Sequence, residues 1–139
     1  MIDSLGDAER SGVYRAPRTG DVLDAARRHG LRVARIALRH GAGKPELLRA
    51  FCAALEFPDW FGENWDALED CLTDLSWLAA PGHLILIEGS ASLAQEDSGV
   101  LCSVLADAAE FWRRQGRPFY AVVVDGPSNL PQLQYAIGA

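Results

Sequence analysis

Two short, uninterrupted apolar runs do most to limit the fold: LILI at 84–87 and YAVVV at 120–124. Each is too short for a buried helix, and neither alternates with polar residues as a strand with one wet face would. Runs of this kind fit strands covered on both faces. Between them Leu101, Val104, Leu105, Ala108 and Trp112 fall on one helical stripe, with Gly116 as the stop, so a long helix is expected over 98–115. Strand, helix and strand in that order imply a parallel pair joined by a right-handed crossover.

The rest of the chain extends this pattern. Asp21–His29 (DVLDAARRH) reads as a short helix with an Asp N-cap and Gly30 at its end. Leu31–Leu38 (LRVARIAL) reads as a third strand, and Arg32 and Arg35 require one face or edge of it to be wet. Pro45–Leu55 is a helix with Leu47, Leu48, Phe51, Ala54 and Leu55 on one side, ended by Phe57-Pro58. Asn64–Leu75 is another. The expected class is therefore α/β: a three-stranded parallel sheet packed with helices around a single-layer core, with strand order open. One domain is expected from 139 residues. Residues 1–20 hold Gly6, Gly12, Pro17 and Gly20 and read as an arm, with Val13 and Tyr14 available to dock it. The tail after Pro127 offers one helical turn around Leu130–Ile137.

Charge is distributed unevenly. From Phe51 to Trp112 there are twelve carboxylates and no Lys or Arg, and seven of the twelve lie between Glu56 and Asp74. Residues 1–50 carry ten bases against six acids, and residues 113–139 three against one. Acid gathered in one segment beside aromatic residues suggests a field for a cationic partner. It gives no reason to expect direct nucleic-acid binding. An arm with Arg10, Arg15 and Arg18 could also fold back over that acid in place of a partner.

The acid centres on helix Asn64–Leu75. Trp65, Leu68, Leu72 and Leu75 are spaced as one apolar stripe, which puts Asp66, Glu69, Asp70 and Thr73 on the opposite, wet face. Asp66 and Asp70 are four apart and therefore neighbours, a mildly destabilising like-charge pair. Just before them Asp59-Trp60-Phe61-Gly62-Glu63 sets two aromatics in a turn. Flat apolar area beside carboxylates suits a partner presenting Arg, Lys or His. An acidic face can equally be no more than a solvated one.

Other chemistries find little support. Two Asp on one exposed helical turn would both ionise, unlike the acid and base of a glycosidase. Asp66, Glu69 and Asp70 lack the loop geometry of a calcium site. No phosphate-binding glycine loop or hydrolase motif is present. No enzyme activity, catalytic residue, metal or cofactor is therefore expected. Cys52, Cys71 and Cys102 lack CxxC spacing and read as reduced, mostly buried thiols. His29 and His40 lie near glycines and read as exposed. No apolar stretch reaches 18 residues and residues 1–20 have no apolar signal region, so a cytoplasmic protein with no membrane contact is expected.

The run Trp60-Phe61-Gly62-Glu63-Asn64-Trp65-Asp66-Ala67-Leu68-Glu69-Asp70-Cys71-Leu72-Thr73 resembles the signature of the barstar family, intracellular inhibitors of secreted guanyl-specific ribonucleases. The resemblance extends more loosely over Leu31–Asp125. It implies a barstar-like domain at 31–125, an arm and short helix outside it at 1–30, and a tail at 126–139. It implies as well a protein that is monomeric when free and binds a basic ribonuclease or nuclease toxin domain. Asp70 matches the carboxylate that takes the place of the substrate phosphate, Asp66 an acid that pairs with a nuclease arginine, and Trp60 an aromatic that packs on the catalytic histidine. Asn64, Trp65 and Thr73 match flanking contacts, and Phe61 and Gly62 complete the turn. Several positions depart from the pattern. Glu69 stands where the prototype has tryptophan, Asp74 where it has glycine, and Leu75 where an interface tryptophan is expected. Phe111, beside Glu110, holds the place of an outer acidic contact. An immunity protein for another toxin nuclease, or a non-inhibitory binding module of the same fold, would share these features.

Overall fold

A computed structural model describes residues 4–133. Its elements are β1 (Gly12–Ala16), α1 (Gly20–Arg28), β2 (Arg32–Ala37), α2 (Lys44–Leu55), α3 (Trp65–Leu72), β3 (His83–Glu88), α4 (Gln95–Arg114) and β4 (Phe119–Val124), with single 3-10 turns at Ser4–Gly6, Ala8–Arg10 and Ser90–Ser92. The three expected strands and the helices between them are present. The sheet nevertheless has four strands, all parallel, in the order β1-β4-β3-β2. The added strand lies within the expected arm. Gly12–Ala16 is short and only one of its five residues is fully buried, so its strand character comes from pairing with Tyr120–Val124 rather than from its own sequence.

The core is likewise two layers, not one. Alternate residues of each strand point to opposite faces. Ala34, Ile36, Ile85, Ile87, Phe119, Ala121 and Val123 face α2, α3 and α4. Leu84, Leu86, Tyr120 and Val122 face α1 and pack with Val22, Ala25, Ala26 and Leu5. The connections explain the division. From β2 to β3 to β4 the chain steps one way across the sheet, whereas from β1 to β2 it crosses the whole sheet the other way. A single crossover handedness then puts α1 on the face opposite α2–α4.

The start of the chain is built into this frame. Leu5 is fully buried, the Tyr120 hydroxyl donates to the Asp7 carbonyl at 2.7 Å, and Arg113 reaches Glu9 at 3.1 Å. Arg10 lies 3.7 Å from Asp7 and Arg18 3.8 Å from Asp21, and Arg15 donates to the Leu130 carbonyl at 2.9 Å. These arginines are engaged locally and do not lie across α3. Of the helical turn expected around Leu130–Ile137, residues 134–137 fall outside the described chain. Gln132 forms a parallel bridge to Arg15, flanked by hydrogen bonds from Arg15 N–H to Pro131 and from Leu133 N–H to Arg15.

β2 is an edge strand, and its arginines have the outlet they require: Arg32 pairs with Glu56 at 2.9 Å and Arg35 with Glu88 at 2.7 Å. Where β3 leaves the sheet, Gly89 adopts φ +81°, and a Cβ there would lie 2.1 Å from the Leu38 carbonyl oxygen. Only glycine fits both constraints. His40 is exposed, as expected, but His29 is half-buried, its ring under the Ser4–Gly6 turn, where a Cβ on Gly6 would meet it at 2.6 Å. All three cysteines are free, Cys71 buried and the others half-buried.

His83, at the start of β3, is 5% exposed and its Nδ1 has no hydrogen-bond partner. Burial, with Arg32 and Arg117 nearby, lowers its pKa from 6.5 to about 4. The unfolded chain therefore takes up this proton near pH 6.5 and the folded chain only near pH 4. Between those values the unfolded state holds more protons, so stability falls as pH is lowered, by about 3 kcal/mol across the window. Denaturant titrations from pH 7 to 4 should show this loss, and His83→Phe should flatten it.

Candidate partner-binding site

Helix α3 is held by contacts at both ends. Asn64 caps it, its Oδ1 accepting from the Ala67 N–H at 2.8 Å. Asn64 Nδ2 in turn donates to the Gly62 carbonyl at 3.3 Å, and a Cβ on Gly62 would press within 3.1 Å of that nitrogen. The left-handed residue of the turn is Glu63, at φ +50°, an uncommon conformation for a side chain of this size. At the other end Thr73 Oγ1 donates to the Glu69 carbonyl at 2.9 Å, and the buried Trp112 of α4 donates through Nε1 to the Leu72 carbonyl at 2.7 Å.

The expected stripe is largely what α3 buries. Leu68, Cys71, Leu72 and Leu75 are in the core. Trp65 is half-buried against that core, with the Lys44 ammonium 5.2 Å from its ring centroid. It therefore serves both as packing and as surface. Leu75, 2% exposed, has no place at the rim, and its φ of +50° turns the chain inward. Helix α3 itself stops at Leu72, shorter than expected, because Thr73 bonds back and closes the last turn.

Asp66, Asp70 and Asp74 are exposed, while Glu69 and Thr73 are half-buried. What covers Glu69 is α4, 38 residues further along the chain. Partial burial and a side-chain hydrogen bond with Asp107 raise the Glu69 pKa, and the charges of Asp107, Asp66 and Asp70 add to the rise. Nothing local in the sequence announced Asp107 as a neighbour of this face. Phe111, 37% exposed and edge-on to Trp112, continues the surface along α4.

Trp60 projects from the preceding turn, 58% exposed. It stands edge-on to Trp77 at 6.5 Å, and Trp77 is edge-on to Phe57, which packs on Phe61 at 4.8 Å. Trp77 Nε1 donates to the Leu55 carbonyl at 2.9 Å. A presented aromatic is thus braced by three that are not.

The electrostatics separate this face from ordinary acidic surface. Of the twelve carboxylates between Phe51 and Trp112, Glu56, Glu88 and Glu110 pair with arginines from outside that segment. Glu110 is held by Arg113 and Arg114, which lower its pKa to about 2. Among the described residues no Lys or Arg pairs with Asp66, Glu69, Asp70, Asp74 or Asp107. The same holds of Asp59, Glu63, Glu96 and Asp97; what distinguishes this face is that its acids lie close enough together for Asp107, Asp66 and Asp70 to add to the burial that raises the pKa of Glu69. No group of three or more described His, Cys, Asp or Glu residues is placed to hold a metal.

A family model described as "Barstar (barnase inhibitor)" matches residues 31–124. The chain belongs to the Barstar family. The match takes in β2 through β4 and the whole of the acidic face, and leaves β1 and α1 outside it. Among curated proteins none matches this Barstar-family chain. Members of the family inhibit ribonucleases and are not enzymes. No helix among the described residues is long and apolar enough to cross a membrane.

Proposed function

We propose that this protein inhibits a basic ribonuclease of the guanyl-specific type, laying α3 and the Trp60–Asn64 turn over the active site. The observation that carries the reading is the uncompensated carboxylate face on a rigidly clamped helix, beside a braced, exposed Trp60. Asp70 stands in for the substrate phosphate among basic side chains, and Asp66 pairs with an arginine. Trp60 packs on the catalytic imidazole. Asn64, Trp65 and Thr73 flank these contacts, and Phe61 and Gly62 set the turn that carries Trp60. Glu69 and Asp74 form an acidic rim in place of the aromatic and glycine of the family pattern, so the partner is more cationic at its own rim. The protein acts without a cofactor, as a monomer when free, in the cytoplasm.

Uncompensated surface acid steers a cationic partner, and screening weakens that attraction as salt rises. The association rate with barnase, the enzyme named in the family's description, should fall steeply with ionic strength. Glu69→Gln with Asp74→Asn should slow association and flatten that dependence, leaving dissociation nearly unchanged. Stopped-flow fluorescence at several salt concentrations measures both. A salt-independent rate would reduce the acid to a solvated face.

A further inference from the structure

Beside the acidic face lies a corner of opposite sign. Lys44, Pro45, Leu48, Arg49 and Glu63 line a shallow cavity of about 320 Å³. Glu63 belongs to the turn that carries Trp60 and immediately precedes the Asn64 cap, so the cavity is continuous with the surface described above. Neither Lys44 nor Arg49 forms an ion pair among the described residues, although the cavity contains a carboxylate. Other bases of the first fifty residues do pair, as Arg32, Arg35 and Arg39 show.

The position of Lys44 is not explained by the helix it begins. It is the first residue of α2, where the positive end of the helix dipole disfavours a cation. Glu46, two residues on, does what the helix needs, its carboxylate accepting from the Gly43 N–H at 3.0 Å. Lys44 instead lies over the Trp65 ring, half-buried, and that contact holds its ammonium at the margin of the acidic face. Facing a partner that was basic throughout, two free cations here would only repel.

We propose that this corner receives a carboxylate side chain of the protein partner, which makes the binding surface bipolar. This rests on the inhibitor reading for the identity of the partner but not for its chemistry. An acidic residue beside the basic cleft of the nuclease would meet Lys44 and Arg49 while Asp66 and Asp70 meet the cleft. The two charge patterns together fix orientation as well as attraction, and they select among basic enzymes by the presence of that acid.

The test uses a capped tri-glutamate peptide as probe. Its titration into the isotopically labelled full chain at low salt should shift the Trp65 indole N–H and the Lys44 and Arg49 resonances. In the double variant Lys44→Glu, Arg49→Glu binding should weaken at least tenfold, with thermal melts confirming that the variant is folded. Asp66→Asn with Asp70→Asn should leave the site intact and tighten it two- to threefold. Absence of shifts at Trp65 and Lys44, or equal binding by the charge-reversed variant, would overturn the proposal. So would tighter binding of a single-stranded oligonucleotide of equal charge, which would assign the corner to phosphate. None of these outcomes touches the inhibitor reading, which stands or falls on nuclease binding by Asp70 variants.

Discussion

Asp70→Ala is expected to weaken nuclease binding more than any other single substitution, with Asp66→Ala next. Removing one partner of a buried, hydrogen-bonded charge pair costs roughly 2–5 kcal/mol or more, a magnitude carried over from protein interfaces, the barnase–barstar complex among them. Both side chains are exposed in the free protein, and no basic side chain among the described residues pairs with either. Their removal therefore takes nothing from the core and relieves a like-charge pair one helical turn apart. Asp66 also meets the positive end of α3 in its first turn, which offsets that gain, so thermal stability should change little while affinity collapses. That separation is what distinguishes a partner-facing carboxylate from a structural one. Titration of each variant against barnase, beside a thermal melt, provides both readouts.

The second large effect concerns the start of the chain. Deletion of residues 1–16 should abolish cooperative folding, because it removes β1 from β4 and takes away Leu5 and Ala16, both buried. The exposed face and edge of β4 would be unpaired backbone and uncovered Tyr120 and Val122. Leu5→Ala is the milder form. Loss of a fully buried leucine costs about 2–5 kcal/mol, or a fall in Tm on the order of 10 °C for a domain of this size. A detachable arm would give a different result, with the truncated protein melting near the full-length value and binding its partner faster. Circular dichroism melts of both variants decide between the two.

This second case marks the limit of what could be read from residues alone. β3 and β4 were legible because their apolar runs carry their burial with them. The buried face of α3 was legible from the spacing of Leu68, Leu72 and Leu75. β1 was not, since Gly-Val-Tyr-Arg-Ala is short, half-polar and flanked by serine and proline, and it becomes a strand only through a partner more than a hundred residues away. The same holds for the second core layer, which depends on a crossover spanning the whole sheet. At the site, the Asp66–Asp70 pair and the aromatic turn follow from local spacing. The contact of Glu69 with Asp107, and that of Lys44 with Trp65, required the packing of α3 against α4 and α2. Leu75 shows local spacing prevailing over positional matching: it stands where the family pattern has an interface tryptophan, yet it is buried as the apolar stripe requires, its backbone turning inward in the left-handed region.

If α3 occupies the nuclease active site rather than some other surface of the enzyme, this protein and a guanine mononucleotide must compete for it. Inhibition of barnase-catalysed RNA cleavage should be measured across inhibitor concentrations at several fixed concentrations of the nucleotide. The apparent inhibition constant should rise linearly with nucleotide, as mutual exclusion requires, and Asp70→Ala should lose both inhibition and competition. An inhibition constant indifferent to the nucleotide, or inhibition undiminished in Asp70→Ala, would place α3 outside the active site.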